Sequence, residues 1–141
     1  MLGTKFTWPD YGGKFKTVYL NPEKEAHWKE WISLYNEKLL SKGNFLDLYV
    51  YGFDFPEAYA IEKDGNLYYA FYATQPPESG LKGTPRSAHW AGEVELRGLA
   101  AKTYRLTDYV HHKDLGTVTG PTAKLKIDLS DNLLLEATPA L

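Results

Sequence analysis

The chain has 141 residues, a length that fits one domain or one domain with an attached fragment. Its formal net charge is −2 with acidic and basic residues interspersed, so no basic face for nucleic acid is present, and no apolar run is long enough to cross a bilayer. The absence of cysteine excludes disulfides and thiolate metal sites. The N-terminal residues lack a signal-peptide pattern, and the compartment is left open.

Residues 3–20 have an extended or irregular pattern, and a helix is predicted from Asn21 to Gly43. Asn21 is the expected N-cap, Pro22 takes the first helical position, and Gly43 is placed to close the helix in a left-handed conformation. Large apolar residues recur at the spacing of one helical face, which predicts a buried stripe of Trp28, Trp31, Ile32, Tyr35 and Leu39. We expect this stripe to pack on the rest of the chain or on a second copy of it.

After Gly43 the apolar period changes to that of strands. Residues 45–51 form a predicted strand, and residues 59–63 and 67–72 form a predicted hairpin around Asp64-Gly65, a pair suited to a type I′ turn. Residues 74–91 contain repeated Pro and Gly and are expected to be a long loop. Further short strands are predicted at 93–96, 103–109, 115–119, 124–129 and 132–137. Seven or eight strands at this spacing predict a mainly β chain, an antiparallel β-sandwich preceded by one amphipathic α-helix.

Patterns of catalytic or metal-binding residues are not found. The four histidines form no clustered ligand set, and the adjacent His111 and His112 are expected at a hairpin tip. No serine lies in a nucleophile elbow. A glycosidase needs two carboxylates that flank the scissile bond, and spacing selects no pair among Asp47, Asp54, Glu57 and Asp108. We therefore expect turn or surface roles for these carboxylates, and we predict no catalytic residue, no metal site and no cofactor.

Aromatic residues make up 15% of the chain, which fits both strand packing and the binding of flat sugar faces. Trp8 precedes a proline in an irregular segment, and Trp90 follows the long loop. Either ring could be a sugar-stacking platform close to a substrate. The alternative for Trp90 is that its ring packs over one end of the sandwich.

Two groups of segments resemble a known family. The first group comprises residues 3–9, 22–28 and 34–38, and the second comprises residues 56–58, 65–72, 92–99, 104–109 and 133–136. In their order and spacing they resemble the C-terminal end of bacterial melibiase-type α-galactosidases, glycoside hydrolase family 36. The resemblance covers most of the chain except residues 10–20 and 74–91, and the 74–91 loop is an insertion relative to the family pattern.

This resemblance implies a (β/α)₈ barrel that carries two catalytic aspartates, followed by a Greek-key β-sandwich. Residues 1–43 would then be a remnant of the last barrel strand and helix, and residues 44–141 the C-terminal β-sandwich domain. Neither catalytic aspartate maps onto this chain. Trp8 alone would approach the substrate, because it lies where the last barrel strand would end.

Two functions therefore compete. The first is a non-catalytic C-terminal β-sandwich domain of an α-galactosidase-like glycoside hydrolase, which supports the catalytic barrel and is inactive alone. The second is a free-standing carbohydrate-binding module that uses Trp8 or Trp90. The expected partners are the catalytic barrel of the parent enzyme, a second copy through the helix, and carbohydrate, but neither nucleic acid nor a membrane.

Overall fold

The computed structural model describes residues 21–73 and 89–140, and every element below lies in these ranges. A helix, α1 (Pro22–Lys38), comes first, and a 3₁₀ turn (Leu40–Lys42) follows it. The strands of the described ranges are β1 (Asn44–Leu46), β2 (Glu57–Lys63), β3 (Asn66–Tyr72), β4 (His89–Leu96), β5 (Thr103–Asp108), β6 (Lys113–Thr119), β7 (Ala123–Ser130) and β8 (Asn132–Pro139). The chain divides into two compact units, Met1–Lys38 and Leu39–Leu141.

Helix α1 begins where the sequence predicts. Oδ1 of Asn21 accepts the N–H of Lys24 at 2.8 Å, and the Asn21 carbonyl accepts the N–H of Glu25 at 2.9 Å. Glu25 and Lys29, one turn apart, form an ion pair at 2.8 Å. The predicted N-cap is confirmed.

The predicted end of the helix at Gly43 is wrong. Leu39 adopts the left-handed conformation, with φ 45° and ψ 45°, and α1 ends before it. Gly43 is extended, with φ −84° and ψ 174°. A Cβ on Gly43 would lie 2.5 Å from Cγ2 of Ile61 and 2.8 Å from the carbonyl oxygen of Glu62. Glycine occupies this position because β2 approaches the backbone closely, and not because the helix needs a left-handed cap.

The apolar stripe predicted on α1 is not buried. Within the described part of the chain α1 holds no buried residue, and the side chains of Trp28, Trp31 and Tyr35 are 55%, 36% and 59% exposed. Ile32 is half-buried, as is Leu39, which lies beyond the end of the helix. Periodicity identifies residues that share a helical face, but it does not tell what covers that face. The role of the stripe as an interface stays a prediction.

The strands form two antiparallel sheets. A six-stranded sheet has the order β1-β2-β3-β8-β5-β6, and β4 pairs with β7 in a two-stranded sheet. The chain leaves the larger sheet for β4 and again for β7, and β8 returns between β3 and β5. In this register Leu135 pairs with Tyr69 on one side and with Asp108 on the other. The prediction of a mainly β, antiparallel fold with one preceding helix is confirmed.

Side chains from both sheets share one apolar core. The largest fully buried side chains are Tyr69, Phe71, Leu96, Leu106 and Leu135, of which Leu96 belongs to the two-stranded sheet. Strand β7 adds three buried residues that alternate with exposed ones: Ala123, Ile127 and Leu129. Because both layers bury side chains in the same cluster, the architecture is a β-sandwich.

The predicted hairpin is confirmed. Lys63 pairs with Asn66 and leaves a two-residue turn between β2 and β3. The turn residues, Asp64 and Gly65, have φ of 53° and 80°. Positive φ at both central positions is the requirement of a type I′ turn.

The predicted strand over residues 45–51 is wrong beyond its first residues. Only Asn44–Leu46 pair with β2. The carboxylate of Asp54 accepts the N–H of Val50 at 2.7 Å, and the N–H of Phe53 donates to the Val50 carbonyl at 3.0 Å. These turn contacts replace strand pairing, so the apolar alternation here does not reflect a sheet position.

The predicted loop over residues 74–91 ends earlier than expected. Its last three residues, 89–91, belong to β4, where His89 pairs with Ser130. Residues 74–88 lie outside the described residues, as does Trp8.

Candidate functional site

A surface cleft of about 370 Å³ lies beside the β1–β2 edge of the larger sheet. Its lining comes from β1, from β2 and from the segment 47–56 between them. Besides the half-buried ring of Tyr49, its lining has three exposed aromatic rings and two carboxylates, which give it its chemistry: Phe45, Tyr51, Tyr59, Asp47 and Glu57. We call this feature the aromatic cleft.

The rings of the aromatic cleft are open to solvent. Phe45 is 62% exposed, Tyr51 78% and Tyr59 36%. The ring centroids of Phe45 and Tyr59 are 6.3 Å apart, and the ring of Tyr72 lies edge-on to Tyr59 at 6.1 Å. Large rings usually lie at least partly inside a fold, and an exposed group of them marks a surface that binds something.

The two carboxylates give the aromatic cleft its charge. Glu57 accepts a hydrogen bond from the hydroxyl of Tyr59, two residues along β2, and this bond raises the pKa of Tyr59. Asp47 takes part in no hydrogen bond or ion pair with the residues that the structure describes. Neither lysine nor arginine occurs among the described residues that line the cleft. The lining is therefore negatively charged and aromatic.

Arg97, at the end of β4, holds the segment that forms one wall. Its guanidinium donates to the two carboxylate oxygens of Asp54 at 3.0 and 3.1 Å and to the carbonyl of Leu48 at 2.9 Å. Its Nε donates to Glu95 at 3.1 Å, and the guanidinium lies 5.0 Å from the ring centroid of Tyr49. This arrangement raises the pKa of Arg97, chiefly through the hydrogen bond to Asp54.

Tyr49 connects the same wall to the backbone of β4. Its hydroxyl donates to the carbonyl of Glu95 at 2.8 Å and accepts the N–H of Arg97 at 3.1 Å. Burial raises the pKa of Tyr49 to about 12. From the core, the hydroxyl of Tyr69 donates to the Arg97 carbonyl at 2.7 Å. The wall is thus tied to the sandwich by side chains rather than by sheet pairing.

The four carboxylates that the sequence could nominate have different surroundings. Asp54 caps the turn at Val50, and the backbone N–H of Val50 followed by Arg97 lowers its pKa. Asp108 is buried and accepts the N–H groups of Val110 and His111, each at 3.1 Å, together with Nδ1 of His111 at 2.7 Å. The expected turn roles of Asp54 and Asp108 are confirmed.

Asp47 and Glu57 come together in the aromatic cleft, although spacing in the sequence did not select them as a pair. A signal was present, because aromatic and acidic residues are dense between positions 45 and 59 around the break at Gly52 and Pro56. Read as a strand, this segment would have placed alternate rings on opposite faces.

The other predicted positions lie elsewhere. Trp90 is half-buried in β4 and packs against the core, and a Cβ on Gly92 would lie 2.7 Å from its ring. His111 and His112 lie in the turn between β5 and β6. The indole N–H of Trp31 donates to Nε2 of His27 at 3.0 Å on the surface of α1. Sugar stacking by Trp8 or Trp90 stays a prediction.

The described residues contain no group of three or more histidine, aspartate or glutamate side chains that could hold a metal ion. The helices found in residues 21–73 and 89–140 are too short or too polar to cross a membrane.

Comparison with known proteins gives a relative of much greater length. The chain is 37% identical over 121 residues to an A type blood α-D-galactosamine galactosaminidase of Flavonifractor plautii. The match covers 84% of this chain and 10% of that protein. This chain resembles a piece of a glycoside hydrolase. It spans about a tenth of the length of the curated relative that it matches, and the match supports likeness to α-galactosidase-like enzymes without singling out family 36.

No family model matches the chain. Among solved structures, a GH27 β-L-arabinopyranosidase from Geobacillus stearothermophilus has a TM-score of 0.42 at 18% identity, over 60% of this chain and 17% of that one. A protein from Bacillus halodurans described as an α-N-acetylgalactosaminidase has a TM-score of 0.45 at 15% identity, over 70% of this chain and 21% of that one. Likeness at these scores is too weak to establish a shared fold.

Proposed function

We propose that the chain is a non-catalytic C-terminal β-sandwich region of a larger, α-galactosidase-like glycoside hydrolase. The observation that carries this proposal is the unequal coverage of the match, 84% of this chain against 10% of the relative. A second support is that Asp54 and Asp108 are engaged in turns, which leaves them unsuited to act as a glycosidase pair.

The role that we assign to the sandwich is support of a catalytic barrel formed by other residues of the parent enzyme. In this proposal residues 1–43 complete the barrel, and residues 44–141 form the sandwich that follows it. Trp28, Trp31 and Tyr35, all exposed, are then the face of α1 that the barrel covers. Covering such side chains would stabilise the parent enzyme by about 1.5–3 kcal/mol for each one fully buried.

The substrate class that we infer for the parent enzyme is an α-linked galactoside or galactosaminide. The relative from Flavonifractor plautii is named for an α-D-galactosamine substrate, and this name motivates the inference, although the matched segment is a tenth of that protein and belongs to the region that we propose to be non-catalytic. The proposal assigns recognition of the reacting sugar to the barrel.

Hydrolysis assays test the non-catalytic role. The purified chain is incubated with an aryl α-galactoside and with an aryl α-galactosaminide, and release of the phenol is followed. We expect no turnover above buffer. Turnover that copurifies with the chain and disappears in Asp47→Asn or Glu57→Gln would show an enzyme and overturn the proposal.

The neighbouring coding sequence tests the assignment to a larger enzyme. We expect the reading frame upstream to encode at least about 250 residues with the alternating strand and helix pattern of a barrel. The protein made from the joined reading frame is expected to hydrolyse one of the two aryl substrates. A reading frame with no such segment would contradict the assignment.

A further inference from the structure

We propose that the aromatic cleft binds a single hexosamine ring in its free-amine, cationic form. This site lies on the sandwich and goes beyond the supporting role proposed above. It is formed by Phe45, Tyr51, Tyr59, Asp47 and Glu57, all within one cleft of about 370 Å³.

The aromatic rings select the shape of the ligand. A pyranose has an apolar face of C–H groups, and placing it on an exposed ring removes apolar surface of both partners from water. Tyr51 and Phe45 expose 78% and 62% of their surface, so binding can remove apolar area of each ring from water. The volume of the cleft lies near the lower end of the range found for ligand pockets, so the cleft fits one sugar ring better than an oligosaccharide.

The charges select the amine. Two carboxylates line the cleft with no lysine or arginine among its described lining residues, so phosphate or uronate groups are repelled. An ammonium group is attracted by the carboxylates and by the faces of the rings, and sugar hydroxyls donate to carboxylate oxygens. Asp47 has no hydrogen-bonding partner among the described residues, so it is the carboxylate that gains the most hydrogen bonds and charge pairing when an ammonium group binds.

The wall of the cleft is held before a ligand arrives. Asp54 is bonded to Arg97 through both carboxylate oxygens, and Tyr49 is bonded to the backbone of β4. The positions of Val50 and Tyr51 therefore do not have to be ordered on binding, which lowers the entropic cost.

Binding is measured by titrating the ¹⁵N-labelled chain with four methyl α-glycosides: galactosaminide, glucosaminide, N-acetylgalactosaminide and galactoside. We expect saturable shifts of amides in β1, β2 and the segment 47–56 with the two amines, with Kd on the order of 1 mM. The N-acetyl and neutral sugars are expected to bind at least about tenfold more weakly, because they lack the positive charge.

Matched variants test the assigned residues. Asp47→Asn is expected to weaken amine binding at least about fivefold, and Tyr51→Ala to abolish saturation. The controls are Asp64→Asn, which removes an exposed carboxylate in the β2–β3 turn, and Phe53→Ala, which removes an exposed ring outside the lining. Both controls should bind as the unchanged chain does. Unaltered amide shifts outside the cleft show that each variant is folded.

Several results would overturn the proposal: no saturation with either amine, equal binding of the N-acetyl sugar, or loss of binding in the control variants. Shifts of the same amides on dilution without sugar would show that a second copy of the chain occupies the cleft, and would also overturn it. Equal binding of the two amines supports the hexosamine site. A preference for one of the two amines also supports it, and the hydrolysis and reading-frame tests of the proposed function are independent of this one.

Discussion

The side chain of Arg97 connects the segment 47–56 to the end of β4. It contacts Asp54 and Leu48 in the wall of the cleft, Glu95 in the strand that precedes it, and the ring of Tyr49. Because Leu48, Tyr49 and Asp54 lie at least 43 positions from Arg97 in the sequence, these three contacts exist only in the folded state.

Asp54→Asn tests this network. The substitution keeps the size of the side chain but removes the charge that Arg97 pairs with, and we expect the free energy of unfolding to fall by about 1 kcal/mol. Urea denaturation measures the loss. The matched control is Asp114→Asn in the more exposed pair with Arg105, where a smaller loss is expected. Equal losses in the two variants would contradict a special role for Arg97.

The stability of the chain should depend on pH through the same carboxylate. The Val50 N–H, followed by Arg97, holds the pKa of Asp54 below its ordinary value of 3.8. A carboxyl with a lowered pKa in the folded state stabilises fully above its unfolded pKa, and this stabilisation is lost as pH falls through the folded value. The stability difference between the chain and Asp54→Asn should therefore shrink on acidification below about pH 4. A difference that stays constant down to the acid transition would refute this.

At the scale of an element, the start of α1 depends on one side chain. Oδ1 of Asn21 accepts the N–H of Lys24, which lies in the first turn of the helix. Asn21→Ala should destabilise the first turn by about 1 kcal/mol, so that its amides exchange with solvent roughly fivefold faster. Asn21→Asp is the control, since it keeps an acceptor at the cap. Unchanged exchange in Asn21→Ala would show that the cap is dispensable.

The β2–β3 hairpin depends on the backbone conformation of its turn. Gly65 has φ of 80° and no atom within 4 Å of where its Cβ would lie, so a substitution there acts through backbone strain alone. We expect Gly65→Ala to lower the free energy of unfolding by about 1–2 kcal/mol, and Gly65→Asn to lower it less, because asparagine tolerates positive φ. Thermal unfolding distinguishes them. The reverse order would contradict a type I′ turn.

At the scale of the whole molecule, β8 joins the two halves of the larger sheet and carries Leu135 into the centre of the core. Leu135 is fully buried, whereas Leu133, two residues earlier in β8, is half-buried. Leu135→Ala should cost about 2–5 kcal/mol of unfolding free energy, and Leu133→Ala clearly less.

The shared core also predicts cooperative unfolding of both sheets. Leu96→Ala, in the two-stranded sheet, should destabilise β3 and β8 as much as it destabilises β7, because all of them pack on the same cluster. Hydrogen exchange followed strand by strand in denaturant measures this. Separate transitions for the two sheets would show two independent cores.

Features that depend on neighbours in the chain were predicted well. The cap at Asn21 and the turn at Asp64 and Gly65 follow from local backbone requirements that the residues themselves meet. The end of α1 was not predicted correctly. Gly43 is required by the close approach of β2, which lies about 20 positions further along the chain, and no local sequence pattern indicates that contact.

The sequence by itself determined that this chain is a mainly β, antiparallel fold with one preceding helix, because alternation, turn residues and caps act over a few residues. Only the tertiary structure decided that the strand after Gly43 stops at Leu46, that Trp28, Trp31 and Tyr35 of α1 are exposed, and that Asp47 and Glu57 meet among aromatic rings. The first and the last of these outcomes depend on contacts such as Arg97 with Asp54, between residues 43 positions apart. Periodicity reports which side chains share a face, whereas packing alone determines what that face meets.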